Sequence, residues 1–159
     1  MPMKRSLQRG FSLIEVLIAL VILAVGLLGM ASLMLNSLQS SQSASMRSQA
    51  SLYAYDIIER IRANPEAVTS TAYVLESRST PTTLTTCSPC TPQQRATRDI
   101  SEWLSNLFSP QAGIPGASAS IQRIANAGVP TIFDINISWD ESGQTGVNGR
   151  QSFNLRVEI

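Results

Sequence analysis

The stretch that decides the fold is Gly10-Phe11-Ser12-Leu13-Ile14-Glu15-Val16-Leu17. It opens an apolar run from Phe11 to Leu35 that only Ser12, Glu15 and Ser32 interrupt, and the next charge after Glu15 is Arg47. As a helix this run would rise roughly 38 Å at about 1.5 Å per residue, enough to cross a hydrocarbon core of about 30 Å. The sequence therefore predicts a membrane helix with one acidic residue near its start.

That acidic residue, Glu15, needs an explanation. A carboxylate at the centre of a membrane helix costs on the order of 2.5 to 3.5 kcal/mol, and less near the interface. Two interpretations stay open: Glu15 reaches the headgroups, or a positive partner neutralises it.

The residues before the apolar run are basic. Lys4, Arg5 and Arg9 precede Gly10, and this positive charge predicts a cytoplasmic amino terminus and an external head. An ordinary secretory signal is cut after its apolar stretch, and Gly29-Met30-Ala31 has suitable small residues. The run is too long for that reading, because such regions usually span about 7 to 15 residues.

The segment from Arg9 to Leu17 resembles the class III signal of type IV pilins and type II secretion pseudopilins. The resemblance implies that a prepilin peptidase cuts the Gly10–Phe11 bond and that Phe11 becomes the N-methylated first residue. It implies a membrane and assembly role for Leu13, Ile14, Val16 and Leu17. It also supplies a partner for Glu15, since the new amino group of a neighbouring subunit can neutralise this carboxylate.

The helix signal continues beyond the membrane. No Gly or Pro occurs from Ala31 to Asn64, and Pro65 provides a stop, so we expect a helix over 11–64. Its second half becomes amphipathic, with apolar residues at three- and four-residue spacings: Ala50, Tyr53, Ala54, Ile57, Ile58 and Ile61. This face is predicted to pack against the head.

The end of this helix refines the resemblance. Residues 53–65 are similar to the A-x-D-x-x-x-R-x-R-A-N-P stretch of PilV-type pilus modification proteins, which are minor type IV pilins. The resemblance implies initiation or modification of pilus assembly. Its implied partners are other minor and major pilins, prepilin peptidase and the inner-membrane assembly machinery. A minor pseudopilin of type II secretion is the alternative, because the signal occurs in both systems.

The segment from Pro65 to Pro92 is rich in Thr, Ser and Pro and reads as a loop, with a brief strand at 72–75. It contains Cys87 and Cys90. An even cysteine count in an exported chain favours a Cys87–Cys90 disulfide over free thiols. Two cysteines without histidine make only half of a zinc site.

A short helix is expected next, capped by Asp99 with Glu102 three residues later and burying Trp103. Gly113, Pro115 and Gly116 then predict a turn. Alternating apolar residues predict antiparallel strands at 131–139 and 151–159, joined by a glycine-rich hairpin loop at 140–149, with a third strand at 117–124 and a corner at Gly128 and Pro130. The predicted fold class is α+β, a long helix on a small antiparallel sheet.

Composition excludes several functions. The formal net charge of +1 is spread without a basic stripe, so no nucleic-acid partner is expected. The chain has no histidine, which excludes catalysis by a Ser-His pair. Asp140 and Glu141 are expected to lie in a solvated loop, and two adjacent acids are too few to bind calcium. We expect no enzyme activity, cofactor or metal.

The predicted organisation has four parts. A leader covers 1–10, the membrane half of the helix 11–35, its amphipathic half 36–64, and the head 65–159. The expected location is the bacterial inner membrane with the head in the periplasm, and then the extracellular pilus.

Overall fold

The computed structural model describes residues 10–84, 86–125, 130–141 and 149–159. The chain folds as two compact units, one up to Ser41 and the other from Gln42 to Ile159. We call the second unit the head; it includes residues 42–64 in addition to the head predicted at 65–159. The division of the chain at residues 35/36 and 64/65 into a membrane half, an amphipathic half and a head stays a prediction.

Helix α1 runs from Leu13 to Arg62, within two residues of both predicted ends. At its start the carbonyl of Ser12 accepts hydrogen bonds from the backbone N–H groups of Glu15 and Val16. At its end Asn64 leaves the helical region, with φ −131° and ψ 63°, as expected for a residue before proline. Pro65 then opens the one-turn helix α2, Pro65–Val68, at the position where its missing N–H costs nothing.

The carboxy-terminal part of α1 supplies the first layer of the core. Its predicted apolar face is buried at Ala50, Ala54, Ile57, Ile58 and Ile61 and half-buried at Tyr53. The second layer is the sheet, whose inward residues join the same core.

The loop predicted between Pro65 and Pro92 contains strand β1, Leu75–Arg78, in addition to α2. The strand predicted at 72–75 is wrong apart from Leu75. The backbone N–H of Val74 donates to the carbonyl of Thr71, so this part of the chain turns, and Tyr73 is fully buried. The long-range position of Tyr73 decides this local structure.

Helix α3 runs from Pro92 to Leu107 and begins eight residues earlier than predicted. Thr91, not Asp99, is the N-cap: its side chain accepts from the N–H of Gln94, whose side chain accepts from the N–H of Thr91. Pro92 fits the first helical position. The first two turns are mostly polar, so the apolar period that revealed the second half of the helix is missing there.

The sheet is antiparallel in the order β1-β2-β3-β4. Strands β2, Ser118–Ile124, β3, Ile132–Asp140, and β4, Arg150–Glu158, confirm the three strands predicted for this region. Their alternation sets the register: Ile135 lies opposite Ile121 on one side and Leu155 on the other. The inward residues of β3 are buried, and those of β4 are half-buried.

The predicted turn before β2 is present. Gly116 has φ of +64°, a conformation that favours glycine because it has no Cβ. The predicted corner at Gly128 and most of the glycine-rich hairpin loop, including Gly143 and Gly146, lie outside the described residues.

Candidate functional site

The amino-terminal segment combines an exposed aromatic residue with an acid. Phe11 lies two residues before α1 and is 82% exposed, and Glu15 lies in the first turn. These two side chains line a groove of about 340 Å³ whose other lining residues are apolar: Val16, Ala19, Leu20 and Leu23. Glu15 is thus the acidic group in a groove of otherwise apolar character.

The first half of α1 exposes its apolar side chains from one end to the other. Every large apolar residue from Phe11 to Leu35 is about half exposed or more, including Leu13, Ile14, Val16 and Leu17. Among the described residues, α1 is the one helix long and apolar enough to cross a membrane. Such an unpaired surface is stable only in a bilayer or against other helices.

In the head, the end of α1 is held by charge. The guanidinium of Arg60 contacts three carboxylates, at 3.1 Å from Asp56, 3.1 Å from Glu102 and 3.8 Å from Asp99. Asp56 lies on α1, whereas Asp99 and Glu102 lie on α3. Arg60 therefore connects the two helices.

A buried hydrogen-bond network lies beside this cluster. The hydroxyl of Tyr73 donates to Oδ2 of Asp99 at 2.7 Å and accepts from Nδ2 of Asn64 at 3.2 Å. Nδ2 of Asn64 also donates to the carbonyl of Pro92 at 2.8 Å. Burial, followed by the hydrogen bond to Asp99, raises the pKa of Tyr73 well above its ordinary value. The phenol therefore stays protonated and keeps α1, α3 and the intervening segment together.

This network explains part of the motif at 53–65. Ala54 is a core residue, Asp56 and Arg60 pair, and Asn64 contacts the start of α3. Sequence reasoning missed the roles of Asn64, Tyr73 and Asp99. An asparagine directly before a proline at a helix end was the available signal for the first, while the other two depend on tertiary contacts.

Trp103 is buried, which confirms it as a core residue. Its indole Nε1 donates to the carbonyl of Tyr53 at 2.8 Å. The hydroxyl of Tyr53 lies 3.1 Å from the carbonyl of Asn106, and burial, then the charge of Asp56, raises the pKa of Tyr53. These contacts add a second connection between α1 and α3.

The expectation that Glu141 is solvated is wrong. Glu141 is 7% exposed, and its Oε1 accepts from Nε1 of Trp139 at 2.9 Å and from Oγ of Ser43 at 3.1 Å. Arg47 reaches Gln151 nearby in the sheet at 3.1 Å. Glu141 therefore attaches the end of β3 to α1, a contact that spans 98 residues of sequence.

The remaining expectations concern the two cysteines, metal binding and the amino-terminal residues. Cys87 and Cys90 form the predicted disulfide, with Cα atoms 5.1 Å apart. Within the part of the chain that the structure describes, no cluster of three or more Asp, Glu, Cys or His side chains has a geometry for a metal. The roles of Gly10, Phe11 and Glu15 in processing and assembly stay predictions.

Comparison with known families covers the amino-terminal three fifths of the chain. The prokaryotic N-terminal methylation motif matches residues 5–31, which include the Gly10–Phe11 bond and Glu15. The family model for the type IV pilin Tt1218 matches residues 32–101, which include the end of α1, the disulfide and the start of α3. No curated protein and no solved structure matches the chain.

These matches imply pilin partners, processing by a prepilin peptidase and membrane anchoring through the apolar helix. Proteins of this structural family are generally not enzymes. With a long helix on a four-stranded antiparallel sheet and with two family models that match adjacent segments, residues 5–31 and 32–101, the chain belongs to the type IV pilin superfamily.

Proposed function

We propose that this chain is a minor type IV pilin of the PilV type, which helps to initiate or modify pilus assembly. The inner membrane holds its amino-terminal helix, the head lies in the periplasm, and the subunit then enters the extracellular filament. The observation that carries this proposal is the groove of Phe11 and Glu15 at the start of an exposed apolar helix, inside a methylation motif.

The mechanism begins with processing. Cleavage of the Gly10–Phe11 bond produces a positive amino group on Phe11, which is then N-methylated. Glu15 of one subunit pairs with this group on a neighbouring subunit as their apolar helices pack. Removing one partner of a buried ion pair costs about 3 to 5 kcal/mol, because the other charge is left unpaired. The pair therefore selects the correct register of helices.

Two charge-removing variants test this role. Glu15→Leu and Glu15→Gln subunits are expected to be cleaved and to reach the membrane, yet to be recovered in sheared pili at less than about a tenth of the wild-type amount, the ratio that corresponds to about 1.4 kcal/mol. Glu15→Asp is the matched control, since it keeps the charge. Wild-type recovery of the leucine variant in pili would remove this role for Glu15.

Two further measurements test processing and the pathway. Mass analysis of the purified mature chain is expected to find a methylated Phe11 at its amino terminus, and an intact leader in a peptidase-competent host would contradict the proposal. A deletion strain is expected to lose normal piliation and to keep enzyme export. The opposite pattern would assign the chain to the alternative, a minor pseudopilin of type II secretion.

A further inference from the structure

A cavity of about 490 Å³ lies in the head beside the disulfide. Cys87, Ser88, Pro89 and Cys90 form one wall, and the other lining residues are Arg60, Ala63, Arg95, Arg98 and Asp99. We call it the arginine cavity. All of its lining residues belong to the head and none to the apolar segment to which we assign assembly, so its three guanidinium groups need a separate explanation.

One of the three arginines is already neutralised. Arg60 contacts the carboxylates of Asp56, Glu102 and Asp99, as described above. The acid that lines the cavity, Asp99, is engaged as well, because its Oδ2 accepts from the hydroxyl of Tyr73. Arg60 and Asp99 are therefore already paired with neighbouring side chains and have little capacity left to bind a ligand.

The two arginines on α3 are used far less. Nε of Arg98 is buried and has no hydrogen-bond partner among the described residues. It lies 3.7 Å from Oε1 of Glu102, close enough for an ion pair but too far for a hydrogen bond. Nη1 of the same residue lies 3.7 Å from Sγ of Cys90, a weak acceptor. Arg98 therefore retains donors at the cavity.

Arg95 is exposed, and its guanidinium has no hydrogen-bond or ion-pair partner in the described parts of the chain. Residues three apart on a helix are neighbours on one face, so Arg95 and Arg98 present their charges side by side. The capped start of α3 and the disulfide wall fix the chain on both sides of them.

We propose that the arginine cavity binds an oxyanion, a carboxylate or a phosphate group, through Arg95 and Arg98. A guanidinium presents its N–H donors as a planar fork that matches the two oxygens of such a group. The proposal goes beyond filament assembly and does not depend on it.

The test uses NMR on the full chain, which is produced with its arginines labelled with ¹⁵N and purified in a nonionic detergent. Sodium phosphate and sodium malonate are titrated separately, each against sodium chloride at equal ionic strength. The Nε–Hε signals of Arg95 and Arg98, assigned from the Arg95→Lys and Arg98→Lys variants, are expected to shift saturably with at least one oxyanion. Saturation with phosphate, malonate or both supports the proposal and identifies which group the cavity accepts.

Arg95→Gln is expected to weaken this binding by roughly tenfold, the ratio that corresponds to about 1.4 kcal/mol. Arg95→Lys keeps the charge without the fork and should lose less. Arg78→Gln removes an exposed arginine on β1, outside the cavity, and should bind like wild type. Because Arg95 is exposed, its variants are expected to fold, which tryptophan fluorescence checks. Equal shifts with chloride, or wild-type binding by Arg95→Gln, would overturn the proposal.

Discussion

The two units of this chain use apolar residues in opposite ways. In its described residues, 10–41, the first unit exposes its large apolar side chains, whereas the head buries both of its tryptophans and the inward residues of β3. The head is thus stabilised by contacts within one chain. The amino-terminal unit needs a bilayer or neighbouring helices, in keeping with the proposed function.

The test of this comparison with the largest expected effect replaces one leucine in each unit. Leu104 in the head is 0% exposed, and Leu28 in the first unit is 71% exposed. Leu104→Ala is expected to lower the free energy of unfolding of the head by about 3 to 5 kcal/mol, because it removes buried methyl groups and leaves a cavity. Leu28→Ala, the matched control, should change it by less than about 0.5 kcal/mol.

Guanidinium denaturation of the chain in detergent measures both variants, since Trp103 and Trp139 report on the head alone. Equal destabilisation by the two substitutions would show that the units do not differ in this way.

A smaller effect concerns the polar connection inside the head. Tyr73→Phe removes the hydroxyl that joins Asn64 to Asp99 and leaves a buried carboxylate with one donor fewer. We expect a loss of about 1 to 3 kcal/mol in unfolding free energy. Tyr55→Phe is the control, because it makes the same change at a tyrosine near the end of α1 that is 55% exposed. A Tyr73→Phe head as stable as wild type would show that the network contributes no stability.

The smallest expected effect lies on the outer side of the sheet. The hydrogen bond from Arg156 lowers the pKa of Asp134, and a second bond from Asn154 acts in the same direction. Because the side chain of Arg156 is 63% exposed, solvent screens the pair, and Asp134→Asn should cost about 1 kcal/mol or less at neutral pH.

The pH dependence of this pair has a definite sign. A carboxyl with a lowered folded-state pKa stabilises the head above its unfolded pKa of about 3.9 and loses that effect as pH falls through the folded value. The stability difference between wild type and Asp134→Asn should therefore shrink between about pH 5 and pH 2. Glu158→Gln, an exposed carboxyl at the end of β4, is the control. A difference that stays constant with pH would contradict this account.

Prediction from the sequence succeeded where the signal was local and periodic. Strands β3 and β4 and the second half of α1 have apolar residues at the spacing of their own secondary structure, and the first half of α1 is a continuous apolar run; each element was found to within two residues. It failed where the period was missing or misleading, as in the polar first turns of α3. The residues at 72–75 show the same limit, because burial of Tyr73 and the turn at Thr71 override the strand pattern.

The candidate site followed the same rule. Gly10, Phe11 and Glu15 stand out in sequence because a charge within a long apolar run is costly and a basic leader precedes the run. The arginine cavity gives no such signal. Arg60, Arg95 and Arg98 are spread over two helices, and their spacing becomes meaningful only when the disulfide and the start of α3 are placed beside the end of α1.

The amino-acid sequence by itself determined the membrane helix, its unusual acid, the long amphipathic continuation and the alternating strands, because these depend on hydrophobicity and spacing within single segments. Only the tertiary structure decided which polar groups lie inside the head. The sequence predicted Asp99 as a helix cap and Glu141 as a solvated loop residue, yet contacts with Tyr73, Trp139 and Ser43 place both carboxylates in buried positions. A buried carboxylate depends on donors that the fold brings from distant parts of the chain, and no local pattern records them.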